Sequence, residues 1–264
     1  PQSTLRTQGT CLEIMTGAVL PEGADTIIRY EDVVIENQVA TIQVSEIVKG
    51  QNIHLQGMDR QKGALVVEKG RRITPAEIGV AATIGRTDLM VIKPFKAMVI
   101  STGDELVPIE DGPLPHQNRQ SNVHVIRQCL TSWGMNCEMS HMVDTKGVIK
   151  EHLSSYIEEY DVIILSGGVS KGKFDFITVV LEELGVEKLF HRVAQRPGKP
   201  LWFGVAPSGT RIFALPGNPV SSFMCTNRYI RSWLRVSMGL KPFEPSYAVL
   251  EAPIQFPKDL TYFA

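Results

Sequence analysis

Apolar residues change their spacing near Lys93-Pro94. Before that point, short β-branched runs in TCLEIMTGAVL and DTIIRYEDVVIENQVATIQV are broken by Pro21, Gly23 and Asn37. GALVVEKGRRI reads as another hairpin, so residues 1–92 are expected to be mostly β. One helix interrupts them, in TPAEIGVAATIG. There Thr74 suits the N-cap, Pro75 the first helical position and Glu77 the third position of a capping box, and Gly85 ends it.

After Lys93-Pro94 strands and helices alternate. KAMVIS (96–101) is a buried-type strand. Val123, Ile126, Leu130 and Trp133 fall on one helical face of residues 121–133. MNCEMSHMV is a strand, and residues 145–160 place Ile149, Leu153, Tyr156 and Tyr160 at helical spacing. DVIIL (161–165) is a second buried strand, followed by a helix through FITVVLEELG. Strands at LWFGV and RIFAL precede a helix from about Pro219 to Met238. This alternation predicts an α/β fold with a doubly wound, largely parallel sheet. GLKPFEPSY then reads as a proline-bearing linker, with AVLEAPI beginning a further element.

Ligands of such sheets bind beyond the carboxyl ends of the strands. Three loops fall there: STGDEL, SGGVSKGKFDF and LPGNPVS. Each is expected to be a strand-to-helix turn, and all three to meet on one edge.

Composition narrows the classes. Among 264 residues, 27 Lys and Arg face 28 Asp and Glu, a formal net charge of -1. That argues against a general nucleic-acid or membrane-surface binder, which needs a cationic excess. No apolar run approaches the ~18 residues of a membrane helix, and no signal peptide is expected at the start. Cys11, Cys129, Cys137 and Cys225 form no C-x-x-C pair, and the six histidines are scattered. Free thiols in a reducing cytoplasm are expected, without a His/Cys metal site.

The loops carry the candidate chemistry. Gly167, Gly168 and Gly172 let the backbone turn tightly and approach a ligand, and N–H groups at a following helix start can cradle an anion. Ser170 adds a hydroxyl. Asp175 fits a phosphate site if a divalent cation lies between them, and otherwise caps the next helix. This is not a Walker A loop. Asp104 repeats the pattern after the first strand, as metal-site acid, cap or solvated loop acid, with Glu105 a weaker candidate beside it. Arg196 and Lys199 flank Pro197-Gly198 and either hold an anion or form a solvated basic turn. Pro216-Gly217-Asn218-Pro219 sets an N-cap and a first helical proline ahead of free N–H groups. RQSN (119–122) could do likewise, with Ser121 or Asn122 as a plain N-cap.

TGAVLPEGADTII, STGDEL, SGGVSKGKFDF, RPGKP and FALPGNPVSS, in this order and spacing, resemble the MoeA/gephyrin-E family, the molybdopterin molybdenumtransferases. The resemblance implies a molybdopterin-binding α/β/α three-layer domain over 93–241. A β-rich N-terminal part over 1–92 would precede it, and a linker and the start of a C-terminal β domain would follow over 242–264. It implies that molybdate is inserted into adenylylated molybdopterin with release of AMP, aided by Mg²⁺ or Zn²⁺. Asp104 and Asp175 take the catalytic and metal-holding positions of the family. Thr16, Gly167, Gly168, Ser170, Arg196, Lys199, Pro216 and Pro219 take its substrate-binding positions. A cytoplasmic homodimer is implied, with the adenylyltransferase and recipient molybdoenzymes as further partners. Two departures stand out. Met58 occupies the place of a family glutamate and receives no role. The family's A-x-D-G segment is not among these residues, so slow insertion with retained binding is expected. A molybdopterin-binding scaffold without turnover and the related adenylyltransferase are the alternatives; MTGA, PGNPVSS and the β-rich part favour the transferase over the latter.

Overall fold

The computed structural model describes residues 4–168, 176–253, 255 and 260–263. The chain divides into two units, Pro1–Val66 and Val67–Ala264.

The first unit holds one hairpin. Strands β1 (Val33–Glu36) and β2 (Val39–Ile42) pair antiparallel, from Val33 opposite Ile42 to Glu36 opposite Val39. Asn37 and Gln38 join them with φ of 50° and 62°. Two successive left-handed residues match the right-handed twist of the strands, and asparagine tolerates that conformation well. A parallel bridge links Thr4 with Glu22. The expected strands in residues 10–20 and 63–73 do not form among the described residues. Met15 is 80% and Leu65 72% exposed. β-branched residues favour a strand only where a neighbour supplies a ladder and a packing surface, and these runs have neither.

The second unit contains, in chain order, α1 (Pro75–Thr83), β3 (Lys96–Thr102), β4 (Leu106–Val107), β5 (Asn118–Arg119) and α2 (Ser121–Ser132). Next come β6 (Asn136–Met142), α3 (Lys146–Glu159), β7 (Val162–Ser166) and α4 (Phe176–Glu183). The remainder are β8 (Glu187–His191), β9 (Gln195–Arg196), β10 (Trp202–Val205), β11 (Arg211–Leu215), α5 (Pro219–Cys225), α6 (Arg231–Ser237) and β12 (Thr261–Tyr262). A π-helical turn, Thr226–Ile230, makes α5 and α6 one continuous rod.

Six strands form the central sheet in the order β6-β3-β7-β11-β10-β8. The first four run parallel, and β10 pairs antiparallel with both β11 and β8. The edge strand β8 is absent from the sequence reading because EKLFH is almost wholly exposed and carries no apolar alternation.

Alternating side chains sort the strands into two faces. Met98, Ile100, Ile163, Leu165, Ile212 and Ala214 meet Ile149, Leu153 and Ile157 of α3 and Ile177 and Leu181 of α4. Ala97, Val99, Val162, Ile164, Phe213 and Leu215 meet Val123, Ile126 and Leu130 of α2, with Cys225, Ile230 and Leu234 from the rod. The result is the expected three-layer α/β/α domain. Burial on both faces is why β3, β7 and β11 read as unbroken apolar runs.

Polar contacts set the strand starts. The Lys96 N–H donates to the Asp161 carboxylate at 2.7 Å, and the Asp161 N–H returns to the Lys96 carbonyl at 2.9 Å. The buried Thr210 hydroxyl lies 2.7 Å from the Ile157 carbonyl and 2.8 Å from that of Tyr160, closing the end of α3 onto the approach to β11. Ser208 Oγ also donates to the Ile157 carbonyl at 3.1 Å, so the Tyr160 carbonyl is the one that loses its side-chain donor, and Thr210→Val is expected to cost about 1–3 kcal/mol in urea unfolding. An unchanged midpoint would show the hydroxyl to be idle.

Helix α1 begins as expected. The Thr74 N–H donates to Glu77 at 2.9 Å, the Thr74 hydroxyl also donates to it, and Arg71 Nε adds a contact at 2.6 Å. The Thr74 hydroxyl first, then the Thr74 N–H and Arg71, hold the Glu77 carboxyl down at about 2. A depressed carboxylate stabilises the fold fully above its ordinary pKa and loses that contribution as pH falls toward the folded value. The gap in melting temperature between the wild type and Glu77→Gln is therefore expected to be full at pH 6. It should shrink between about pH 4.5 and 2.

Candidate functional site

Strands β3, β7 and β11 are adjacent and parallel, so their carboxyl ends open on one edge. The turn after β7 is pressed against the end of β3. Gly167 has φ of 106°, and a Cβ there would sit 2.9 Å from both the carbonyl oxygen and the hydroxyl of Thr102. A Cβ on Gly168 (φ 66°) would lie 2.2 Å from Ile177 Cδ1 and 3.0 Å from the Thr102 hydroxyl. A Cβ on Gly217, after β11, would reach within 3.9 Å of Gly167 Cα. The three loops thus converge as expected; at Gly167 the Thr102 backbone, and at Gly168 the Ile177 side chain, occupies the space a Cβ would take, and both glycines have positive φ. Thr102, 3% exposed, keeps its hydroxyl without a hydrogen-bond partner among the described residues. The sequence reading passed over it.

The STGDEL loop differs from expectation. It runs into a two-residue ladder, Leu106 with Asn118 and Val107 with Arg119, and α2 starts only at Ser121. Asp104 therefore caps no helix. Its Oδ1 accepts the Asp144 N–H at 3.0 Å, tying the end of β3 to the loop after β6. The Asp144 carboxyl is pushed up by burial first and then by the negative charges of Asp104 and Glu105. Asp104 and Glu105 are themselves exposed.

Asn122 is no cap either. Residue 120 holds that position in α2, without a side-chain bond. The Asn122 amide instead donates to Ser166 Oγ at 2.9 Å and to the Gly217 carbonyl at 2.8 Å. Ser166 Oγ lies 3.5 Å from Ser222 Oγ. After β11 the expectation holds: Asn218 caps α5, accepting the Ser221 N–H at 3.1 Å, and Pro219 takes the first helical position. Pro216 is buried and Pro219 exposed.

Arg196 and Lys199 are exposed, and neither makes an ion pair among the described residues. Their turn rests on the helix that leaves β11. Gly198 has φ of 90°, its Cβ would lie 2.6 Å from Cys225 Sγ, and its carbonyl accepts from Gln195 Nε2 at 3.1 Å. The strand that enters the turn pairs in parallel with β12, Thr261 with Gln195 and Tyr262 with Arg196. All four cysteines are free, as expected, and burial pushes the Cys225 thiol up to about 12. Such a thiol is inert as a nucleophile.

Thr16 belongs to the first unit, exposed on a turn closed by the Ala18 N–H on the Met15 carbonyl at 3.0 Å. Ser170 and Asp175 lie outside the described residues. No group of three or more His, Cys, Asp or Glu suited to a metal ion occurs among the described residues. A cavity of 260 Å³ between α2 and the edge strand β6, lined in part by His124, Ser140 and His141, is a further feature the sequence did not reveal.

A three-layer domain with small-residue loops meeting on one sheet edge, and cations without an ion pair among the described residues on a nearby turn, is of the α/β class whose ligands bind beyond the strand ends. Comparison with known proteins makes this specific. Residues 98–236 match the family described as the probable molybdopterin binding domain, and residues 1–85 match the MoeA N-terminal region, domains I and II. The chain belongs to this molybdopterin-binding family, in its MoeA branch.

A molybdopterin molybdenumtransferase of Synechocystis sp. is 41% identical over 266 residues, covering 100% of this chain and 66% of the relative. One from Staphylococcus epidermidis is 34% identical over 239 residues, covering 89% and 56%. The solved structure of a molybdopterin biosynthesis MoeA protein from Pyrococcus horikoshii is 30% identical with a TM-score of 0.73, covering 90% of this chain and 59% of that one. The chain thus spans less than two thirds of the length of these relatives.

The glycine contacts have a direct consequence. Gly167→Ala needs both a left-handed conformation and a shift of the Thr102 backbone, and is expected to cost about 1–3 kcal/mol. Thermal and urea unfolding check this, with Gly209→Ala as the comparison, since Gly209 shares the positive φ but has open space around it. Equal costs at the two positions would mean that the Thr102 contact contributes nothing.

Proposed function

We propose that this chain is the substrate-handling part of a molybdopterin molybdenumtransferase, which inserts molybdate into adenylylated molybdopterin and releases AMP. The observation that carries this reading is the convergence of the β3, β7 and β11 loops, in a chain that matches the probable molybdopterin binding domain over 98–236 and the MoeA N-terminal region over 1–85. The match to the MoeA N-terminal region favours this activity over the related adenylyltransferase.

In this reading residues 93–241 form the molybdopterin domain, residues 1–92 belong to the N-terminal domains, and 242–264 lead into a C-terminal β domain. The glycine turn at Gly167-Gly168 and the Ser170 hydroxyl receive the pterin phosphate. Arg196 and Lys199 neutralise anionic charge, and Pro216 and Pro219 border the molybdate. Thr16, in the N-terminal part, is a substrate-binding residue. Asp104 and Asp175 hold Mg²⁺ or Zn²⁺. The donor chemistry at Asp104 suits a hard cation, because carboxylate oxygen is what Mg²⁺ takes and like charges already crowd Asp104, Glu105 and Asp144. A bound cation supplies charge stabilisation to the leaving phosphate. The protein acts in the cytoplasm as a homodimer, receiving substrate from the adenylyltransferase and passing product to molybdoenzymes. No helix among the described residues is long and apolar enough to cross a membrane.

Two measurements test the reading. Arg196→Ala and Lys199→Ala are each expected to weaken molybdopterin binding roughly ten- to hundredfold, about 1–3 kcal/mol, in calorimetry. The loss should be greater at low salt, where exposed charge is least screened. Unchanged affinity in both variants would remove these cations from the site.

Asp104→Asn is expected to slow single-turnover release of AMP far more than it weakens binding, because charge accumulates on the phosphate in the transition state. Asn leaves Oδ1 able to accept the Asp144 N–H, so the loop tie survives. A wild-type rate would strike Asp104 from the chemistry.

A further inference from the structure

We propose that Asn122 is a positioning residue that fixes the gap between the β7 and β11 loops before any ligand arrives. The inference rests on the function proposed above, since it assigns that gap to the anionic part of the substrate.

The donor geometry leaves little freedom. The Gly217 carbonyl can only accept, so the amide must present Nδ2 to it, which settles which way the carboxamide is turned. Its second hydrogen then goes to Ser166 Oγ, at 2.9 Å. One planar group therefore spans the last residue of β7 and the first glycine after β11, from the first turn of α2. Ser166 is buried and directs its oxygen toward the buried Ser222 of α5. Four elements (β7, β11, α2 and α5) are tied at one point beside the glycine turn. The Gly167 N–H continues the tie by donating to the Leu215 carbonyl at 3.1 Å.

The bond to Gly217 has a second effect. A trans peptide is planar, with C=O and N–H on opposite sides. Anchoring the Gly217 carbonyl to Asn122 therefore sets the direction of the Asn218 N–H, which points away from α2. That N–H has no partner among the described residues, and Asn218 is exposed. Asn122 thus presents a backbone donor without touching the ligand. Ordering a loop at the moment of binding costs conformational entropy, and a gap set in advance avoids that cost.

Binding and exchange separate this role from a merely structural one. In the ligand-free 264-residue chain, Asn122→Ala is expected to speed hydrogen exchange at the Gly167 amide at least tenfold. Exposed Gln128→Ala, on the same helix, should leave it unchanged. Titrated with molybdopterin, Asn122→Ala should bind tenfold or more weakly. Asn122→Asp keeps the shape but offers no donor to Gly217, and it should bind no better than Asn122→Ala. Should Asn122→Ala fail to fold, the Asp variant carries the same comparison. Ser166→Ala should add little to Asn122→Ala, because both remove one shared bond.

Unchanged exchange at Gly167 would overturn the proposal. So would faster exchange with wild-type affinity, or additive losses in the double variant. If the wild-type chain itself does not bind molybdopterin, the functional reading fails instead, and the exchange measurements alone decide whether Asn122 holds the gap.

Discussion

The structure depends on one constraint: β3, β7 and β11 are buried on both faces at once. A strand in that position cannot spend alternate residues on solvent, so Ala97 through Ile100 and Val162 through Leu165 are apolar in succession. Helices must then cover each face, and the connections must return to the same end of the sheet. The parallel order β6-β3-β7-β11 follows from that requirement. It also delivers every second loop to the same edge, where polar backbone has to find partners in other loops. The site is the place where the layered packing runs out and glycine contacts and side-chain amides take over.

This is why the domain was legible in the sequence and parts of its surroundings were not. Two-sided burial writes an unbroken apolar run, and one-sided helices write a three-to-four-residue repeat, so the strands around Met98 and Ile163 and the helix around Leu153 could be read from local spacing. The edge strand β8 writes neither, because its side chains face water. The first unit fails for the opposite reason. Its run at 10–20, like the run at 63–73 that straddles the boundary at Val66, has strand-favouring residues, yet a strand is a property of a pair, and composition carries no information about whether a neighbour exists.

The site shows the same division. The glycines at 167 and 168 and the Asn218-Pro219 start of α5 are local signals, and each stands where local reasoning put it. Asp104 and Asn122 were read with caps among their uses because they lie near expected helix starts. Both instead reach across to chain segments distant in sequence, Asp104 to Asp144 and Asn122 to Ser166 and Gly217. Thr102 was invisible for a related reason, since a threonine at a strand end draws no notice until it is seen to leave no room for a Cβ at the glycines opposite. The resemblance to the MoeA family was legible in the spacing of several such motifs together, a stronger signal than any single loop, and the family matches over 1–85 and 98–236 agree with it.

The rod running from α5 to α6 holds one residue more than an α-helix of the same number of turns, because its middle turn, Thr226–Ile230, closes on i to i+5 bonds. The surplus is taken up without disturbing the cap at Asn218 or the packing of Leu234 against the sheet. The central strands have no such slack, as a one-residue change there would turn every inward side chain outward. The rod thus accommodates an odd residue within a single helical turn, which the two-sided burial of the central strands does not allow.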